Sequence, residues 1–260
     1  MIALLGAAIG DIVGSIHVWN NIRTKKFELF DIRSQFSGAT VLTCAVAKAL
    51  RAYVDSGKKL DLASELTEEL LNFGWKYPDI NYGRNFLAWL FADEQTPYGS
   101  AGAGSAMRVS AAGWLAGTLA EAEELAKKTA EVTHSHEEGI KGAQAVAAAI
   151  FLARQHTPKE EMKQYIEERY YKLDFELKDI RLRYNYTPTS PGTVPPALEA
   201  FFEAEDFEDA LRNAVSIGGD SATLAAIAGS VAEAYYGIPE EIRKKAVPFF
   251  DAEILQALEA

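Results

Sequence analysis

Two stretches of this chain, Ala143–Ala153 and Ala222–Ala232, are apolar around almost the whole circumference of a helix, and both are rich in alanine. Alanine has the highest helix propensity and a minimal side chain, so such segments form helices that neighbours can approach closely from every side. Each is about half the ~20 residues that a membrane span needs. Both are therefore expected at the centre of a helical bundle, with the other helices packed around them. Elsewhere apolar residues recur mostly at three- and four-residue spacing, which extends the helical reading along the chain.

Helices are expected over 2–16, 40–55, 61–73, 105–117, 119–131, 137–155, 158–170, 195–203, 206–215, 220–236 and 239–247. Some carry a start signal, such as the cap, proline and acid of Thr157-Pro158-Lys159-Glu160, or the acidic Asp206-Phe207-Glu208-Asp209. The best strand candidate is the short, tyrosine-rich Arg181–Thr187, and loops are expected at Trp75–Arg84, Asp93–Gly104 and Tyr186–Val194. With no linker-like stretch and no repeat of about 20–50 residues, the expected fold class is all-α: a single compact multi-helix bundle forming one domain over residues 1–260.

Charge narrows the function. A net charge of −11 with a pI near 5.0 repels phosphate backbones and makes a nucleic-acid partner unexpected. A local basic pocket for a small phosphorylated ligand stays open. No membrane association is expected either. The lone Cys44 lies in an apolar run, so no internal disulfide forms, and the start lacks the basic region of a signal peptide. A cytoplasmic location follows as the expectation. Gly218-Gly219-Asp220-Ser221 opens one of the two central helices, where it is either an anion-binding turn or an aspartate cap.

Several short motifs now fall into order. Gly6-Ala-Ala-Ile-Gly10-Asp11-Ile-Val-Gly14 is followed by Phe36-Ser-Gly-Ala-Thr-Val-Leu-Thr43, Gly104-Ser-Ala-Met-Arg-Val-Ser110 and Thr133-His-Ser-His136. Gly192-Thr-Val-Pro195, Gly218 through Gly229, and Tyr235-Tyr-Gly-Ile-Pro239 complete the series. Each is weak alone; in this order, across most of the chain, they resemble the ADP-ribosylglycohydrolase family. The resemblance implies an all-α fold, two magnesium ions held between helices, and cleavage of the bond joining ADP-ribose to an arginine, serine or related acceptor. Such cations need clustered oxygen ligands, which the family draws from a Thr-Asp-Asp-Thr segment and a Gly-Gly-Asp-x-Asp-Thr segment.

Against that pattern this sequence is depleted. The first segment falls on Ser37, Gly38 and Ala39; in the second, Asp220 and Thr223 match but Ala222 replaces an aspartate. The implied ligand positions that survive are Ser37, Asp220 and Thr223, three of the four carboxylates being absent, so no bound metal and no other cofactor is expected. Val18 stands where many members carry a substrate-gating glutamate, Ala101 and Ala103 replace an expected aromatic and asparagine, and Ser190-Pro191 replaces a polar pair. Scaffold motifs persist while site residues turn small and apolar. A natural pseudoenzyme, a redesigned pocket and a divergent enzyme all fit that pattern.

The expected pocket comprises Val18, Ser37, Gly38, Ala39, Ala101, Ala103, Arg108, Ala222 and Thr223, with Asp220 and His17 as candidate catalytic groups. Arg108 is read as a phosphate ligand or as a buried partner of an acid such as Asp11, and His134 and His136 as structural. The leading expectation is a small-molecule-binding protein on the glycohydrolase fold, without its hydrolase activity. The alternatives are a metal-free enzyme that abstracts a proton with Asp220, joined by His17, and a weakened glycohydrolase retaining one metal.

Overall fold

Gly6, Gly10 and Gly14 recur every four residues, which places them on one face of the opening helix. In the computed structural model, which describes residues 4–259, that face lies directly against the helix that begins at Ser221. A Cβ at Gly10 would stand 2.0 Å from the carbonyl oxygen of Ala225, and one at Gly6 or Gly14 would stand 2.3 Å from that of Gly229 or Ser221. Any side chain there would force the two backbones apart, so glycine sets the spacing between the first helix and the central one.

The elements run α1 (Leu5–Ser15), α2 (Gly38–Asp55), α3 (Leu62–Lys76), α4 (Arg84–Leu90) and α5 (Gly104–Met107). They continue as α6 (Ser110–Leu115), α7 (Leu119–Glu131), α8 (Glu137–Arg154), α9 (Lys159–Arg169) and α10 (Leu177–Ile180). The chain then forms α11 (Ser190–Phe202), α12 (Phe207–Ser216), α13 (Ser221–Tyr236), α14 (Glu240–Ala246), a 3-10 turn over Val247–Phe249, and α15 (Ala252–Glu259). The described residues contain no strand; an isolated antiparallel bridge joins Gly102 to Thr189. No described helix is long and apolar enough to cross a membrane.

Helices α8 and α13 are the central pair that their alanine content demanded. Every residue from Ser221 to Ala234 of α13 is buried, against α1, α8, α11 and α12. One apolar core, containing Leu50, Ile150, Phe201 and Phe207, runs through the elements. Asp206 caps α12 as expected, receiving the Asp209 N–H at 2.8 Å, and Thr118 caps α7 by receiving that of Glu121 at 3.2 Å. Thr157 does not cap α9, which begins at Lys159 with Pro158 before it and no side-chain cap.

The differences from the sequence reading have local causes. Residues 2 and 3 of the first expected helix lie outside the described residues. The expected helix over 105–117 is two helices, broken where the Arg108 side chain turns inward. Trp75 belongs to α3, and α4 and α15 form where no helix was expected. Arg181–Thr187 is turn and irregular chain rather than strand. Helix α11 begins at Ser190 instead of residue 195, with Pro195 and Pro196 inside it. Proline lacks an N–H, so Pro196 leaves the Gly192 carbonyl without its helical donor; the Tyr184 hydroxyl donates there instead, at 2.9 Å.

Candidate functional site

The start of α13 is shaped by two glycines. Gly218 and Gly219 hold φ of +72° and +71°, the left-handed region that other residues avoid. Their bare Cα faces are covered: a Cβ on Gly218 would meet the Arg23 guanidinium at 2.7 Å, and one on Gly219 would meet the Tyr184 ring at 2.4 Å. Asp220 then caps the helix. Its Oδ1 accepts from the Thr223 N–H at 3.2 Å and its Oδ2 from the Thr223 hydroxyl at 3.0 Å. Burial pushes the Asp220 pKa up, and the two bonds from Thr223 partly oppose that rise. The Thr223 hydroxyl also lies 3.5 Å from the Met107 sulfur, which brings the end of α5 to the site.

A second carboxylate organises the start of α2. Asp11 is fully buried on α1 and accepts four hydrogen bonds: from the Ser37 N–H and hydroxyl at 2.7 and 2.6 Å, and from the Thr40 N–H and hydroxyl at 3.1 and 2.7 Å. Burial raises its pKa against the pull of these four donors. The Ser37 hydroxyl is thus engaged, since it donates to Asp11 and accepts from the Ala39 N–H at 3.2 Å. Gly38 faces an aromatic wall, because a Cβ there would come within 2.9 Å of the Tyr82 ring.

The elements that carry the remaining residues of the expected site pack on one another, α13 against α1, α2 and α5, and α2 against α1 and α5. Ala39, Ala103 and Ala222 are buried, while Val18 and Ala101 are partly exposed. The strip around Ala101 pairs with the chain before α11: Ser190 N donates to the Ala101 carbonyl and Ala103 N to that of Pro188, both at 2.9 Å. Arg108 is 1% exposed, and its Nη2 donates to the Thr129 carbonyl at 3.0 Å and to the Thr133 hydroxyl at 2.7 Å. That spends the side chain inside the core, with its pKa lowered by burial to about 10, rather than on a ligand or on Asp11. The ring of His17 packs edge-on against Phe27 at 5.2 Å, and burial lowers its pKa. His136 caps α8 through Nδ1, and buried His134, its pKa lowered to about 3 by burial and by Arg108, bonds Thr133.

Magnesium requires several oxygen donors in a near-octahedral shell, and a pair of such ions requires several carboxylates. Positions 38, 39 and 222 offer no side-chain oxygen, and Asp220, Ser37 and Thr223 are engaged with neighbours in the fold. Among the described residues no group of three or more His, Cys, Asp or Glu side chains is placed to hold a metal ion. This donor set does not fit the magnesium pair that the family resemblance implies. A groove of about 510 Å³ lined by Tyr53, Lys58, Leu60, Gln95, Pro97 and Lys128 shares no residue with the region around Asp220.

Sequence reasoning missed the residues that frame this region: Trp19, Asn21, Arg23, Tyr184 and Tyr186. Trp19 and Tyr186 stack with centroids 5.9 Å apart. The concentration of aromatics in Tyr184-Asn185-Tyr186 was the available signal, and it read as strand propensity instead.

Comparison with known proteins places this architecture. A family model described as ADP-ribosylglycohydrolase matches residues 2–258. ADP-ribosylhydrolase ARH3 of Homo sapiens is 23% identical over 97% of this chain and 90% of its own length, and that of Mus musculus is 22% identical over 97% and 88%. An uncharacterized protein of Archaeoglobus fulgidus is 33% identical over 154 residues, and this match spans half of the archaeal chain. Among solved structures, an ADP-ribosylglycohydrolase-related protein complex superposes with a TM-score of 0.69 at 21% identity, over 99% of this chain and 96% of that one.

Proposed function

Because the chain belongs to the ADP-ribosylglycohydrolase family, we propose that it is a member that keeps the fold but neither assembles the two-metal centre nor hydrolyses ADP-ribosyl bonds. In this reading it acts in the cytoplasm and binds a small organic molecule beside the start of α13. The observation that supports it best is the state of Asp220. This is the one carboxylate left of the four that the family pattern calls for, and both its oxygens already accept from Thr223. Two divalent cations need far more negative charge than that.

The test is direct. Peptides carrying ADP-ribosyl-arginine and ADP-ribosyl-serine, incubated with the protein and millimolar magnesium, are expected to release no ADP-ribose above the buffer blank. Magnesium-dependent release would overturn the reading and make the chain a working glycohydrolase with a reduced site.

A second reading, proton abstraction from a carbon acid, draws on the raised pKa of Asp220, since a base closer to neutrality is more effective. His17, whose ring packs edge-on against Phe27, is the candidate partner of Asp220 in this reading. Exchange of an acidic C–H with deuterated solvent, present in the protein and absent in Asp220→Asn, is its signature.

A further inference from the structure

Two exposed aromatic rings are carried to the start of α13 by separate loops. Trp19, on the loop after α1, is 76% exposed, and it stacks on Tyr186, 50% exposed, on the loop before α11. The ring planes are 18° apart. Each loop is tethered to the same residue, Gly219. Asn21, two residues after Trp19, brackets that glycine: its Oδ1 accepts from the Gly219 N–H at 2.8 Å and its Nδ2 donates to the Gly219 carbonyl at 3.0 Å. Tyr184, two residues before Tyr186, lays its ring on the bare face of Gly219. Arg23 ties the loops together, donating to the carbonyls of Arg181, Tyr184 and Ile217.

The residue after Gly219 is Asp220. Its carboxylate acts on the Tyr186 phenol, adding to the rise in pKa that burial causes there. The loops that carry both rings are thus anchored at the residue next to the Asp220 carboxylate. Aromatic rings carry negative charge on their faces and attract cations, most strongly in tryptophan. When ionised, the Asp220 carboxylate carries a full negative charge, whereas the helix start offers about half a positive one, and the Thr223 N–H of that start is already spent on Asp220. Arg23 adds positive charge at the same turn, but its guanidinium is engaged with three carbonyl oxygens.

We infer that Trp19 and Tyr186 form an aromatic clip which, with Asp220, binds a planar aromatic cation of the arylamidinium class. The ligand's ring stacks on the exposed aromatic faces, and its charged end meets the Asp220 carboxylate. The inference rests on the small-molecule reading of the same site and adds the chemical class of the ligand.

Benzamidine, neutral benzamide and anionic benzoate share one ring and differ in charge, so they separate the contributions. Titrations of the full chain followed by tryptophan fluorescence and calorimetry are expected to give saturable benzamidine binding in the millimolar range or tighter. Benzamide is expected to bind about tenfold more weakly, an increment of about 1.4 kcal/mol, and benzoate more weakly still. Asp220→Asn keeps a good helix cap, so it is expected to retain the fold while reducing benzamidine to the affinity of benzamide. Trp19→Ala, at an exposed position, is expected to weaken benzamidine by about three- to fivefold, the scale of an exposed cation–π contact.

Equal affinity for the three probes, or benzamidine binding unchanged in both variants, overturns the clip. The ADP-ribosyl hydrolysis assay on the same preparation keeps the two readings apart. No hydrolysis with no benzamidine binding removes the clip alone, whereas magnesium-dependent hydrolysis removes the underlying functional reading.

Discussion

Asp11 and Asp220 both accept hydrogen bonds from a helix start, yet they are used differently. Asp11, carried on α1, satisfies four donors from Ser37 and Thr40 and so joins two helices that are distant in sequence. Asp220 accepts only from Thr223, three residues further along its own chain, and is partly open to solvent. A carboxylate with four buried donors is committed to the fold. One with two local donors keeps unshared lone pairs for a ligand. The comparison teaches that burial alone does not mark a functional acid: both are pushed to higher pKa by burial, and only one has capacity left.

Substituting each acid is the sharpest way to break this comparison. Asp11→Ala orphans two backbone N–H groups and two hydroxyls in a sealed environment, and each unsatisfied group costs about 1–3 kcal/mol. A loss of about 3–5 kcal/mol is expected in urea unfolding, because the hydroxyls can turn to other acceptors. Asp220→Ala removes only a cap, for about 1 kcal/mol. Similar losses in the two variants would remove the distinction.

A third carboxylate sharpens it further. Glu233 on α13 is buried against the start of α1 and accepts from the Gly6 N–H at 2.9 Å. Burial drives its pKa from 4.5 up to about 8, although Gly6, Leu5 and Arg243 pull the other way. The folded chain therefore holds a proton that the unfolded chain releases. The stabilising contribution is complete below about pH 4.5 and is lost as pH rises towards 8. Wild type is expected to lose about 1–4 kcal/mol more than Glu233→Gln between pH 5 and 8, on the scale of 1.36 kcal/mol per pKa unit. Parallel stability–pH curves for the two proteins would show that Glu233 stays ionised in the fold.

How much of this was legible in the sequence depends on the range of the interaction. The central helices and most helix spans followed from alanine content and apolar spacing, which act over a few residues. The Asp220 cap was legible for the same reason. The four bonds to Asp11 were not, because its partners lie 26 and 29 residues away and leave no local pattern. The Trp19–Tyr186 stack was hidden likewise, since it depends on two loops, distant in sequence, that meet around Gly219. The break at Arg108 needed knowledge of what lay beneath it, namely the carbonyl and hydroxyl at the end of α7.

The smallest expected effect is the response to magnesium. Ser37 donates to Asp11 and Thr223 to Asp220, so a single carboxylate is the only charged group at the expected ligand positions. Millimolar magnesium is therefore expected to leave the melting temperature of the wild type unchanged within a degree or so, since an ion with no affinity for the native state adds no stability. Restoring one aspartate at 38, 39 or 222 is expected to change this little, because two carboxylates still leave two divalent ions undercharged. The triple variant is expected to bind magnesium in calorimetry and to melt higher in its presence. Gly38→Asp carries an added cost that the other two positions do not share. Its Cβ would come within 2.9 Å of the Tyr82 ring, so that ring must shift, and overpacking of this kind costs about 1–3 kcal/mol. The triple variant is thus expected to melt lower than the wild type without magnesium and to recover when it is added. A wild type that already gains several degrees in magnesium would show that Asp220 exchanges its Thr223 bonds for a cation, and would place it with the ligands rather than the caps.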